Sequence, residues 1–294
     1  MSRKSLLLGL GIALAITGLA RAQHKVLWEK ESPYNSILVT EDERGLRTLF
    51  FEKGGARQSV VKPGDPDHIE LPYARAMMAA IAVVEEPRRV LVVGLGGGTI
   101  PSFLHKHYPQ TIIDVVDIDP DVVDAAKKFF GFSVSPTMRA YVRDGRGFIE
   151  ECKGLYDIIF LDAFGSDNIP YHLATREFLT AVRQALKPQG IVAGNIWSSS
   201  SNPLHDAMVR TYQEVFDSVY LLDVQGAGNE IILAVPRNYH ISREELARRG
   251  QAISQAKGFR FDLGEDIKYG YQHLQEKDPR AQVLTDVKSG KKAG

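Results

Sequence analysis

The sequence predicts a doubly wound α/β protein with a small β unit in front of it, and three observations carry that prediction. Short apolar runs alternate with stretches of helical period from about residue 90 to residue 235. A Gly-rich turn, GLGGGT at 94–99, joins the first of these runs to the first helix. Acids stand just after later runs, as Asp117, Asp144 and Asp162. Such βαβ alternation implies a mostly parallel sheet covered by helices on both faces. In that architecture ligands bind outside the carboxyl ends of the strands, where these glycines and acids fall.

The elements follow in order. Arg3 and Lys4 precede an apolar run at 6–20, which ends in Ala-Arg-Ala before Gln23. That is the layout of a secretory signal peptide over 1–22, and it predicts a periplasmic or secreted protein. The run is shorter than the roughly 20 apolar residues of a membrane span, with an uncleaved N-terminal anchor as the alternative. Residues 23–66 read as a small N-terminal β domain, because SILVTED, LRTLFFEKGG and RQSVV are separated by Gly, Pro and charged turns. Residues 67–278 form the main domain. It opens with a helix over 68–84, which carries Ala, Met and Leu at helical spacing and ends before Pro87. Strands are expected at 90–93, 112–116, 140–143, 157–161, 190–196, 219–224 and 230–235, and helices from about 101, over 175–186 and over 203–216. Another helix starts at Asp119, an N-cap followed by Pro120 at the first helical position. Residues 279–294 read as a polar, frayed tail.

Composition narrows the function classes. With 294 residues and 44% hydrophobic content the chain buries a full core. Its 36 basic and 36 acidic residues cancel, so no overall field draws it to nucleic acid or to an anionic membrane. The single cysteine, Cys152, excludes an internal disulfide framework and reads as a half-buried free thiol. His105 and His107 do not make a metal site, because residues two apart on a helix point to different faces, and no metal is expected.

The glycine turn lacks the Lys of a phosphate-binding G-x-x-x-x-G-K-[ST] loop. It departs from G-x-G-x-x-G as well, although an acid, Asp117, does stand on the next strand end where it accepts ribose hydroxyls. Asp144 after the third strand is placed to accept from an exocyclic adenine amine. Together these acids make a carboxylate-rimmed pocket, which favours a cationic sulfonium nucleoside such as S-adenosylmethionine over a pyrophosphate ligand. Asp119 reads as a helix cap only.

The pieces SPYNSILV, RTLFF, LPYARAMM, VLVVGLGGGTIPSFL, VVDIDPDVVDAAKKFF, VRDGRGFI, YDIIFLDAF and TREFL, taken together, resemble the spermidine synthase family of polyamine aminopropyltransferases between about residues 32 and 197. The resemblance implies a Rossmann-like, S-adenosylmethionine-dependent methyltransferase-type sheet behind a small β domain. It implies an aminopropyl transfer from decarboxylated S-adenosylmethionine to a small amine such as putrescine, with a homodimer admitted as the assembly. Asn35, Gly94, Gly96, Gly98, Thr99, Asp117, Asp144 and Gly145 would hold the donor. Tyr34, Gln58 and Tyr73 would line the acceptor pocket, and Asp162 would sit at the reacting centre.

The sequence also departs from that family. Thr99 stands where these enzymes place an Asp against the donor's amine, and Gly165 stands where the second Asp of D-x-x-D acts as base. Asp167 and His172, in the following loop, are the substitute candidates for that base. Two rival readings stay open: an S-adenosylmethionine-dependent methyltransferase with the same pocket, and a non-catalytic protein that binds a nucleoside or a polyamine.

Overall fold

The computed structural model describes residues 24–165 and 169–286; the expected signal segment and Asp167 lie outside the described residues. The described residues begin with four antiparallel strands in sequence order, β1 (Lys25–Glu31), β2 (Ser36–Glu41), β3 (Arg47–Phe50) and β4 (Arg57–Val61). The single helix expected over 68–84 is instead two short ones, α1 (Pro72–Met77) and α2 (Ala79–Val83). Pro72 fixes φ at the first helical position and so sets the late start. At Met78 the backbone bonds tighten to three-residue spacing, from Met78 N–H to Arg75 and from Ile81 N–H to Met78, and this separates the two.

The alternating part runs β5 (Arg89–Val93), α3 (Thr99–His107), β6 (Ile112–Asp117), α4 (Pro120–Phe129), β7 (Met138–Val142), α5 (Gly145–Glu150), β8 (Tyr156–Leu161), a 3-10 turn at Tyr171–Leu173, α6 (Arg176–Ala185), β9 (Leu186–Trp197) and α7 (His205–Val215). It ends with β10 (Ser218–Asp223), β11 (Asn229–Val235), α8 (Arg243–Lys257), α9 (Leu263–Gly270) and β12 (Tyr271–His273). Side-chain caps start several helices. Asp119 accepts from Asp121 N–H at α4, Thr175 from Phe178 N–H at α6, and Ser242 from Glu245 N–H at α8.

The large sheet has the order β7, β6, β5, β8, β9, β11, β10, β12. Strands β7 to β9 are parallel, whereas β11, β10 and β12 each pair antiparallel with their neighbours. The expected mostly parallel sheet therefore ends in an antiparallel edge, because the short link between β10 and β11 leaves no room for a crossover. The chain leaves β5 towards β6 on one side and returns beside it as β8 on the other, which makes the β5–β8 junction the topological switch point. Apolar side chains cover both faces. Met77, Ile81, Phe103, Leu104 and Leu246 pack on one, and Phe148, Phe178, Leu179, Met208 and Tyr212 on the other. A third cluster joins Ile37, Val39 and Leu49 of the small sheet to Val122 and Ala125 of α4, so the small sheet is held against α4 of the main domain.

The segment EELARR is part of α8, which buries Leu246, Ala247 and Ile253 on one side and turns its charges outward on the other. The stretch 279–286, read as frayed, docks. Leu284 is 7% exposed, and its N–H and C=O bond to Thr211 Oγ1 and Arg176 N–H.

Candidate active site

At the switch point, Gly94 leaves β5 with φ +94°, and a Cβ there would lie 2.3 Å from the carbonyl oxygen of Asp162. Only glycine lets the ends of β5 and β8 approach this closely. The resulting gap is a cavity of about 310 Å³, within the range of small-ligand sites. It is walled by the glycine turn, by the ends of β6 to β9 and by β4 of the small sheet.

One end carries two acids. Asp117 closes β6, and its Oδ2 accepts from Leu95 N–H at 2.8 Å while its Oδ1 accepts from Asp119 N–H at 2.9 Å. Burial pushes its carboxyl up to about 6, against those backbone bonds. Gly96 N–H faces the same carboxyl, and the acceptor capacity that remains points toward the cavity that Asp117 lines. Asp144 caps α5 through Gly147 N–H at 2.8 Å and binds His172 Nε2 at 3.0 Å. Burial pulls the other way, but these bonds hold Asp144 below the usual carboxylate range. Gly145 follows it beneath Val93, where a Cβ would meet Val93 Cγ1 at 2.6 Å.

The other end centres on Asp162. Its Oδ1 accepts from Asn195 Nδ2 at 2.8 Å, and Tyr73 Oη lies 3.2 Å from its Oδ2 and 3.2 Å from the Gln58 carbonyl oxygen. Asn229 Nδ2 in turn donates to Asn195 Oδ1 at 3.0 Å, which fixes the amide so that its NH₂ faces Asp162. Burial raises Asp162 to about 7, and the two hydrogen bonds do not offset it. Tyr73, buried beside this carboxylate, is raised well above the usual phenol value. Tyr73 has one proton and two acceptors. A protonated Asp162 donates to Tyr73 Oη while Tyr73 donates to Gln58; an ionised Asp162 instead accepts the hydrogen bond from Tyr73 Oη. Phe164 and Trp197, 5.9 Å apart and edge to face, form an apolar wall beside this end.

The remaining expected site residues are placed unevenly. Asn35, Gly96, Thr99 and Gln58 line the cavity. Asn35 also donates to Asp119 Oδ2 at 3.0 Å, so the cap residue ties the small sheet to α4. Arg57, Gln58 and Ser59 all line the cavity, which regular alternation forbids. Strand pairing slips here, with Phe50 opposite Arg57 and Leu49 opposite Ser59, and Gln58 is the extra residue of a bulge. Gly98, with φ +79°, sits outside the lining at the N-cap of α3 against Phe132. Tyr34 is corrected: it is 52% exposed in a turn and does not line the cavity. His172 is corrected as well, since it binds Asp144 at the far end rather than Asp162. The sequence reading missed Asn195, Asn229, Trp197 and Phe164. An Asn inside the apolar strand run IVAGNIW, where such a residue is disfavoured, was the available signal.

An open sheet of this strand order, with a glycine turn and strand-end acids around one cavity, defines a Rossmann-like protein of the methyltransferase type. The spermine/spermidine synthase domain matches residues 70–222. A polyamine aminopropyltransferase of Vibrio vulnificus is 35% identical over 240 residues, covering 80% of this chain and 79% of that protein. A probable spermidine synthase from Corynebacterium glutamicum has the same fold, with a TM-score of 0.71 at 20% identity over 91% of this chain and 99% of that one. Human methyltransferase-like protein 13, solved in complex with SAH, superposes with a TM-score of 0.58 at 29% identity over 64% of this chain and 93% of that one. The chain belongs to the spermine/spermidine synthase family and is a transferase of the polyamine aminopropyltransferase type.

Proposed function

We propose that the cavity binds decarboxylated S-adenosylmethionine and transfers its aminopropyl group to a small amine such as putrescine, with Asp162 as the base. The observation that carries this reading is the pairing of a buried acid near 7 with an ordered Tyr73–Asn195 frame, on the opposite side of the glycine turn from Asp117 and Asp144. Asp117 accepts the ribose hydroxyls and Asp144 the adenine amine. The amine nitrogen attacks the carbon next to the sulfonium, the carbon–sulfur bond breaks, and neutral methylthioadenosine leaves. The proton lost from nitrogen goes to Asp162. A base with a pKa near the working pH suits this role, and it stands in for the carboxylate that Gly165 lacks. The thioether needs no protonation to leave, so proximity and this base supply what the protein must add. Export is part of the proposal on the signal-like order of residues 1–22 alone.

Methylthioadenosine tests the nucleoside end, because it has neither amine nor carboxylate. Asp117→Ala and Asp144→Ala are each expected to weaken it roughly tenfold or more, since hydrogen bonds to a charged acceptor are worth about 1.5–3 kcal/mol. Wild-type affinity by calorimetry in both variants would place the nucleoside elsewhere.

A methyltransferase is the second reading, and Thr99 favours it. Its neutral hydroxyl, 3.4 Å from Ser59 Oγ, offers no charge to a donor ammonium. Thr99→Asp is expected to shift the affinity ratio about tenfold towards the decarboxylated donor over S-adenosylmethionine, whose carboxylate the new charge repels. An unchanged ratio would mean that the donor's tail does not pass residue 99.

A further inference from the structure

The chain's last described residues, far from the glycine turn in sequence, close a hydrogen-bonded frame around the 3-10 turn at Tyr171–Leu173. Asp286 takes both Nη atoms of Arg146, at 2.7 and 2.6 Å, and the hydroxyl of Thr175 at 2.7 Å. Its own N–H donates to Glu177 Oε2 at 3.0 Å. Arg146 Nη1 also reaches the carbonyl of His172 at 3.4 Å, and Tyr171 Oη donates to the carbonyl of Thr285 at 3.1 Å. Leu284 anchors this segment by its burial and by its bonds to Thr211 and Arg176. The framed turn brings His172 and Leu173 into the cavity lining and sets His172 Nε2 against Asp144.

We propose that Asp286 is a positioning residue for the Asp144 end of the cavity: through Arg146 and Thr175 it fixes the turn that presents His172 to Asp144. A bidentate carboxylate–guanidinium pair holds orientation as well as distance, which a single contact does not. Without it, Arg146 keeps Glu150 but loses the anchor shared with Thr175. The His172–Asp144 pair is half exposed, so its own energy is modest, and it depends on the backbone beneath it being held. The consequence for ligands rests on the nucleoside reading given above.

Four proteins test it: wild type, Asp286→Ala, His172→Ala and the double variant, with Asp286→Asn as a same-size alternative and thermal unfolding to report the fold of each. Asp286→Ala is expected to weaken methylthioadenosine about three- to tenfold, the range of second-layer couplings. In the His172→Ala background the same change is expected to add nothing, because both act through one contact. Equal losses in both backgrounds, or none in either, would overturn the proposal. The histidine ring signals in NMR provide a readout without ligand: Asp144→Asn should move His172 in the wild-type background and leave it unmoved beside Asp286→Ala. If that coupling holds while no variant or wild type binds methylthioadenosine, the positioning stands and the nucleoside reading falls. If Asp144→Asn moves His172 equally with and without Asp286, the positioning fails whatever binds.

Discussion

Asp162→Asn is expected to lower kcat/KM for aminopropyl transfer by about 10²–10⁴, the loss typical for a general base, without loss of fold. The amide copies the protonated acid. Its oxygen accepts from Asn195, and its NH₂ donates to Tyr73 Oη, which then donates to Gln58 as before. The wild-type rate should rise with pH through about 7, because the base acts when ionised. Stability moves in the opposite direction. A carboxyl raised by burial favours folding while it is protonated, and that contribution is lost as pH rises from the unfolded value near 4 through about 7. The amide does not ionise and carries no such loss, so the variant should be the more stable protein above pH 7 and the less active one throughout. A variant that keeps its activity, or a wild-type rate that is flat from pH 6 to 8, would remove Asp162 from the chemistry.

Gly94→Ala should give the largest loss of stability of any single methyl added near the cavity. Its φ of +94° costs an L-residue on the order of 1–2 kcal/mol, and the new Cβ would sit 2.3 Å from a backbone oxygen, which no side-chain rotation relieves. Overpacking of this kind adds about 1–3 kcal/mol. Together they predict a loss of roughly 2–5 kcal/mol in denaturant unfolding. By contrast, at Gly226, which also lines the cavity with φ +74°, nothing lies within 4 Å of a Cβ, and only the backbone cost applies. Equal losses at both positions would show that the β5–β8 approach is not what Gly94 serves.

The strand ends were legible in sequence because each combines a short apolar run with a residue that cannot be there for burial. Gly94 and the acids 117, 144 and 162 stand out against Val and Ile. The Asp119–Pro120 start of α4 was legible for the same reason, since capping is local chemistry. What was not legible depends on distant partners. The carboxyl group of Asp162 looks like any other in sequence; only folding puts Tyr73, Asn195 and Asn229 around it. Gln58 enters the cavity through a bulge that pairing with β3 creates, and no periodicity reveals it. His172 belongs with Asp144 because Asp286 and Arg146 hold its turn, a contact across more than a hundred residues. The antiparallel edge has another cause, since it follows from the short link between β10 and β11 rather than from any strand's own pattern.

The measurement that tests the central claim most directly is product analysis of purified protein given decarboxylated S-adenosylmethionine with putrescine, and in parallel S-adenosylmethionine with the same amine. The account predicts methylthioadenosine formed in step with an aminopropylated amine in the first mixture, dependent on Asp162, and no methylated product in the second. S-adenosylhomocysteine and a methylated amine from the second mixture, with no methylthioadenosine from the first, would contradict it.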